Sequence, residues 1–152
     1  MLSVALAFVL SQASPPELLP TKDFEVVHAR LASSFKRSLK VTAKERRVLP
    51  KSPVATRAMV VASLEQLYLA AQPKFKQPAK KVTLPAGFKV ASMQSKALEG
   101  FLQKLVVEGF IPRSSFLVYG INDKISITQV GEAYGKFLIE LAERTHTKKE
   151  GY

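Results

Sequence analysis

The lysine and arginine residues between positions 36 and 89 are the side chains whose type and spacing could do chemistry in this sequence. This segment holds thirteen of them and only two acids, Glu45 and Glu65, so it carries the whole formal net charge of +11 of the 152-residue chain. Cations gathered in this way attract polyanions, with nucleic acid the first candidate. The alternative is a solvated basic surface that serves solubility, but the electrically neutral flanks favour a local purpose for the charge.

One aromatic residue lies within this basic segment. Phe75 stands between Lys74 and Lys76, and an aromatic ring flanked by cations can stack on a base while the cations neutralise phosphates. Phe75 could equally pack into the protein interior. The candidate nucleic-acid-binding residues are therefore Lys40, Lys44, Arg46, Arg47, Lys51, Arg57, Lys74, Phe75, Lys76, Lys80, Lys81 and Lys89.

Other kinds of site have little support in the sequence. There is no cysteine, and the two histidines, His28 and His146, are far apart, so we expect neither thiolate chemistry nor a zinc site. No glycine-rich phosphate loop, HExxH motif, GxSxG motif or cluster of carboxylates occurs. An enzyme is thus the least favoured class, and we expect no cofactor, no metal and no small-molecule substrate.

Helices occupy most of the first half in this interpretation. The uncharged start, MLSVALAFVL, has about half of the roughly 20 residues needed to span a bilayer; it predicts a core helix, with a cleaved signal segment as the alternative. Thr21 is expected to cap a second helix with His28 hydrogen-bonded on its apolar face. A basic connector, residues 40–52, leads to a helix over residues 53–71 that starts at Ser52-Pro53.

The second half predicts a loop, a helix, two strands and a closing helix. Residues 72–86 are rich in proline and lysine and read as a basic loop or partner-binding arm. A helix at 95–108 ends at Gly109, and FLVY (116–119) and KISI (124–127) are predicted to pair as a hairpin around GIND. From Val130 the apolar spacing changes to three or four residues, which predicts a final helix.

This element order is that of a winged-helix domain, in which the hairpin is the wing. We therefore predict a mainly α protein: one winged-helix domain over residues 1–152, with an N-terminal helical extension and a basic loop at 72–86. In a DNA-binding regulator of this fold, the helix at 95–108 reads base edges and the protein acts as a dimer. Its polar face here is neutral, with two acids and two lysines. The basic residues instead precede this helix, which favours recognition of folded RNA through its phosphates.

Three segments resemble the small-subunit ribosomal protein nineteen family, the type shared by eukaryotes and archaea. TRAMVVASLEQLYL (56–69) resembles the family helix that begins Thr-Arg-Ala and ends Leu-Tyr-Leu, and here it follows KERRVLPKSP. LPAGFKVASMQSKALEGFLQKLVVEGFI (84–111) resembles the Pro-x-x-Phe lead into a helix with a Leu-Gln pair. ITQVGEAYGKFLIELAER (127–144) resembles the Thr-x-x-Gly entry into the last helix.

The resemblance implies a structural constituent of the small ribosomal subunit that binds rRNA and supports maturation of the particle. Its implied partners are small-subunit rRNA and neighbouring ribosomal proteins, with no membrane, and it would be a monomer outside the particle. The implied location is the cytoplasmic ribosome, with nucleolar assembly in a eukaryote. The DNA-binding regulator remains the alternative.

Overall fold

The computed structural model describes residues 17–80, 82–120 and 124–146, and this part of the chain is mainly helical, as predicted. None of its helices is long and apolar enough to cross a membrane. The helix expected at residues 1–10 lies outside the described residues. In chain order the helices are α1 (Thr21–Leu39), α2 (Arg57–Ala71), α3 (Lys96–Val107), the single turn α4 (Phe116–Tyr119) and α5 (Ile127–Thr145), with a short 3-10 turn, Gln72–Lys74, directly after α2.

Helix α2 is the centre of the core. It contacts α1, α3 and α5, and nearly all of its side chains are buried, including the predicted apolar stripe Val60, Leu64, Leu67 and Ala71. Its start differs from the prediction. The helix begins at Arg57, and the Thr56 hydroxyl accepts a hydrogen bond from the Met59 amide at 3.2 Å. Ser52 does not cap it, because the Ser52 hydroxyl donates to the Val54 carbonyl in the preceding turn.

Helix α1 packs on α2 through an apolar face, and it differs from the prediction at Val27 and Thr21. The sequence predicts that this face consists of Phe24, Val27, His28, Leu31, Phe35 and Leu39. Phe24, His28 and Phe35 are buried, whereas Val27 is 46% exposed. Thr21 is not a cap but the first helical residue, and its hydroxyl donates to the Ser52 carbonyl at 2.6 Å. The hydroxyl therefore ties the end of the connector to the start of α1.

Helix α3 matches the prediction closely. The Ser95 hydroxyl accepts a hydrogen bond from the Leu98 amide, and Gly109, at φ +80, follows the helix end. Glycine adopts this left-handed backbone conformation without the steric cost that a Cβ imposes. Phe110 and Ile111 then return to the core and are fully buried.

The predicted strand at FLVY is wrong. Residues 116–119 form the turn α4, and the Ser115 hydroxyl accepts a hydrogen bond from the Leu117 amide at its start. Gly120, at φ +58, ends the turn. Four apolar residues are too few to distinguish a strand from a buried helical turn by periodicity, and here the flanking serine and glycine decide. The part of the chain that the structure describes contains no strand, so the hairpin wing is absent from it, and residues 121–123 of the predicted turn lie outside it.

The segment expected to be the second strand of the wing has other partners. The amide of Leu19 donates to the Ile125 carbonyl (3.3 Å), that of Ile125 to the Ala55 carbonyl (3.1 Å), and that of Ala55 to the Leu19 carbonyl (2.7 Å). These hydrogen bonds close a ring of three buried residues. Since α1, α2 and α5 each begin two residues after a member of this ring, it brings three helix N-termini together.

Helix α5 begins directly after that ring and closes the core. Ser126 and Gln129 form a reciprocal capping box, since each side chain bonds to the backbone amide of the other. The predicted apolar positions pack inward as expected: Val130, Ala133, Tyr134, Phe137 and Leu141 are buried and Leu138 is partly buried. The mainly α class is thus confirmed, whereas the winged-helix hairpin is not.

Candidate nucleic-acid interface

The lysines of the connector are exposed. Lys40 follows the end of α1 in a left-handed conformation (φ 57), and Lys44 and Lys51 lie further along the connector. Among the described residues, none of these three side chains pairs with a carboxylate. Their charge is therefore available to a ligand.

The connector arginines are instead paired with acids of the helices. Arg46 forms an ion pair with Glu25 of α1 and donates to the Ser63 hydroxyl of α2 at 2.8 Å. Arg47 contacts both oxygens of Glu65, at 2.7 and 3.3 Å, and this carboxylate raises the pKa of Arg47. These contacts hold the connector along α2 and offset part of the positive charge that the sequence places there.

Arg57 is not a surface residue. It is only 3% exposed, and its guanidinium donates to the carbonyls of Leu117 (2.6 Å), Ala91 (2.8 Å) and Ser92 (3.2 Å). A planar group with five donors suits three carbonyls that converge on it from two segments. Arg57 therefore joins the segment before α3 and the turn α4 to α2, and it is removed from the set of candidate RNA contacts.

Phe75 packs into the protein. Its ring lies edge-on to Tyr68 with centroids 5.3 Å apart, and stacks on Phe110 at 6.2 Å. The prediction left open whether this residue meets a base or the core, and the structure places it against the core. Its neighbours Lys74 and Lys76 are exposed, while Lys81 lies outside the described residues.

Lys80 anchors the predicted loop to α5. Its ammonium lies 2.9 Å from Glu140 and 2.5 Å from Glu143. The hydrogen bond and charge of Lys80 lower the pKa of Glu143, and the two carboxylates raise the pKa of Lys80. The backbone amides of Lys76 and Gln77 also donate to the Arg144 carbonyl, so this half of the 72–86 segment follows the end of α5.

A network of charged side chains lies beneath that anchor. Arg144, 2% exposed, pairs with Glu140 at 3.1 Å and with Glu108 at 3.7 Å. Glu108 also accepts from the Tyr68 hydroxyl at 3.1 Å. Burial, followed by the nearby Glu108 charge, raises the pKa of Tyr68 to about 12. The network joins α2, α3 and α5 at the end opposite to the ring of Leu19, Ala55 and Ile125.

Lys89 is exposed beside α3 and, within the described residues, pairs with no carboxylate. The polar side chains of α3 around it are occupied. Gln103 accepts from the Val90 amide (3.0 Å) and donates to the Phe88 carbonyl, while Glu99 accepts from the Met93 amide and pairs with Lys96. These residues hold the segment before the helix, so few of them face outward as a base-reading surface.

His28 is hydrogen-bonded and buried, as predicted. Its ring contacts the Gln66 side chain at 2.5 Å and the Tyr134 hydroxyl at 3.2 Å, and Gln66 in turn donates to the Lys44 carbonyl. Burial lowers the pKa of His28, and the nearby Arg46 charge acts in the same direction. The histidine therefore links α1, α2, α5 and the connector.

Among the described residues, no cluster of three or more His, Asp or Glu could hold a metal ion.

Sequence reasoning missed one surface residue. Tyr119 is 59% exposed at the end of α4, next to the backbone that Arg57 fixes. It escaped notice because FLVY was interpreted as a strand of the wing. The signals that could have identified α4 are the capping Ser115 before the apolar run and Gly120 after it.

The candidate interface thus consists of exposed lysines distributed along the connector, the loop after α2 and the segment before α3. Searches of protein-family models, curated proteins and solved structures give no match to this chain.

Proposed function

We propose that this protein is a structural constituent of the small ribosomal subunit, which binds rRNA through the central basic segment and supports maturation of the particle. The observation that carries the proposal is that five lysines of this segment are exposed and, among the described residues, without a carboxylate partner: Lys40, Lys44, Lys51, Lys74 and Lys89. Internal ion pairs therefore leave part of the surplus charge free to neutralise phosphates.

The family resemblance supports the same proposal, and the fold is compatible with it in part. The order of α1, α2, α3 and α5 follows the helices of a winged-helix core. We propose a divergent version of that core, in which residues 124–126 pair with 17–20 and 54–56. The partners in this proposal are small-subunit rRNA and neighbouring ribosomal proteins.

The DNA-regulator alternative gains no support from the structure. It needs a helix whose polar side chains are free to contact base edges. Gln103 and Glu99 of α3 instead bond to the backbone of residues 88–93.

The proposal is tested by binding to small-subunit rRNA over a range of salt concentrations. Replacing the five exposed lysines with Gln should reduce the slope of log K against log salt by roughly 3.5–4.5, since each lost phosphate contact removes about 0.7–0.9. The matched control removes five exposed charges outside residues 36–89, namely Lys22, Arg30, Arg113, Lys124 and Lys136. Equal effects of the two variants would contradict the proposed binding segment.

Sedimentation of a native lysate tests the ribosomal part of the proposal. The protein should co-sediment with small subunits in a sucrose gradient and leave them at high salt, as phosphate contacts weaken. A free dimer bound to double-stranded DNA would contradict the proposal and favour the regulator.

A further inference from the structure

Three neighbouring clefts share lining residues and are together named here the connector groove. The first, of about 660 Å³, lies between the connector and helices α1 and α2. The second, of about 590 Å³, shares residues 49–52 with the first and extends to residues 92–94. The third, of about 460 Å³, shares Ser92 with the second and reaches α3. The groove therefore crosses the molecule from α1 to α3.

Lysines supply the free charge of this groove. Lys51 lines its first two clefts and Lys89 the third, and within the described residues neither has a carboxylate partner. Of the carboxylates that line it, Glu25 pairs with Arg46 and Glu99 with Lys96, which leaves Glu45 as the acid without such a pair. The groove thus presents two free cations spaced along its length and the positive end of α2 between them.

Tyr119 belongs to the chain segment that borders the second cleft. The Val118 carbonyl accepts from the Ala91 amide at 2.7 Å, and a Cβ on Gly120 would come within 2.9 Å of the Arg57 guanidinium. The backbone on both sides of Tyr119 therefore rests against groove residues or their direct neighbours. The side chain is 59% exposed and makes no hydrogen bond or ring contact within the described part of the chain.

We propose that the connector groove binds a single-stranded segment of RNA, with Lys51 and Lys89 on phosphates and Tyr119 stacked on a base. This inference rests on the proposed function and names the form of RNA and the face that binds it. An exposed aromatic ring beside a groove that carries cations is the chemistry of single-strand recognition. A duplex keeps its bases paired and stacked, so it offers Tyr119 no free base face.

Fluorescence anisotropy with a labelled 12-nucleotide RNA, alone or annealed to its complement, tests the assignment. Tyr119→Ala should weaken binding of the single strand at least fivefold, because one stacked base is lost, and should change duplex binding less than twofold. Tyr119→Phe should bind as the wild type does, since stacking does not require the hydroxyl. An unchanged affinity of Tyr119→Ala for the single strand would overturn the inference.

A pair of charge variants tests the groove without the tyrosine. Replacing Lys51 and Lys89 with Gln should lower the salt slope for the single strand by about 1.4, at about 0.7 per contact. The matched control replaces Lys22 and Lys136, exposed lysines outside residues 36–89 that do not line the groove, and should leave the slope unchanged. Equal effects of both pairs would overturn the groove assignment while leaving RNA binding intact. A wild-type protein that binds neither RNA would overturn the proposed function as well.

Discussion

Arg57 is a buried hydrogen-bond donor, although arginine is a residue type that usually lies on the surface. Its guanidinium satisfies three carbonyls from two separate segments at the first turn of α2. A buried carbonyl that loses its donor costs free energy, because nothing replaces the water that it gave up. The guanidinium of Arg57 thus stabilises the folded state and is not available to a ligand.

Replacing Arg57 with Lys should lower the free energy of unfolding by about 2–3 kcal/mol, because an ammonium cannot reproduce the planar set of donors. Urea denaturation followed by circular dichroism measures this change. Arg47→Lys is the matched control, because Arg47 is about half exposed and a lysine there keeps the positive charge beside the buried Glu65, and it should change stability little. A similar loss in both variants would contradict the buried role.

His28 predicts a pH dependence whose sign follows from its environment. Its pKa in the folded protein is lowered from 6.5, first by burial and then by the Arg46 charge, although Gln66 and Glu25 oppose the shift. The unfolded chain therefore takes up a proton at a higher pH than the folded protein does. The contribution of neutral His28 to the free energy of unfolding is therefore fully present above about pH 6.5. It decreases as the pH falls through the pKa of His28 in the folded protein.

Urea midpoints at pH 7.5 and 5.0 should therefore differ more for the wild type than for His28→Gln. His146→Gln is the control, because that histidine is exposed near the end of α5, and it should keep the wild-type difference. If His28→Gln shows the same pH dependence as the wild type, another group is responsible.

At the scale of elements, the glycines occupy two kinds of position, inside a helix and at the end of a helix. Gly135 lies in the middle of α5, and a Cβ built there meets nothing within 4 Å. Gly131, in the first turns of the same helix, is also open, so neither glycine is required by a close neighbour. Gly120 differs, because its φ is +58 and an added Cβ would press on Arg57.

Gly135→Ala should raise the free energy of unfolding by about 0.5–1 kcal/mol, since alanine has the higher helix propensity. Gly120→Ala should lower it by about 1 kcal/mol or more, because the left-handed conformation disfavours any Cβ. Thermal and urea unfolding of the two variants measure these opposite changes. A gain of stability at Gly120 would mean that α4 ends differently.

For the molecule as a whole, the ring of Leu19, Ala55 and Ile125 couples three helices at their starts. Ile125 is fully buried, and both of its backbone polar groups take part in the ring. Because α1, α2 and α5 depend on the same junction, weakening it should destabilise all three together.

Ile125→Ala should lower the free energy of unfolding by about 3 kcal/mol through loss of buried apolar volume. Helical circular dichroism and tyrosine fluorescence, to which the buried Tyr68 and Tyr134 contribute among the four tyrosines of a chain without tryptophan, should change in one coincident transition. Two separate transitions would show that the helices unfold independently.

The sequence by itself determined the four long helices and the location of the charge. The apolar spacing of α3 and α5, the capping Ser95 and the Gly109 stop are interactions between residues three or four apart, which local patterns record. The concentration of cations between residues 36 and 89 is likewise a matter of composition. The predicted helix at 95–108 and the closing helix therefore agree with the structure to within a few residues.

Only the tertiary structure decided which cations remain free and where residues 124–127 pair. Glu25, Glu65 and Glu140 are scattered along the chain, yet the fold brings them to Arg46, Arg47 and Lys80. The same packing buries Arg57 and Phe75, and it pairs Ile125 with Leu19 and Ala55 where sequence proximity suggested 116–119. These contacts join residues far apart in the chain, and their energies depend on the packed neighbours that no local pattern records.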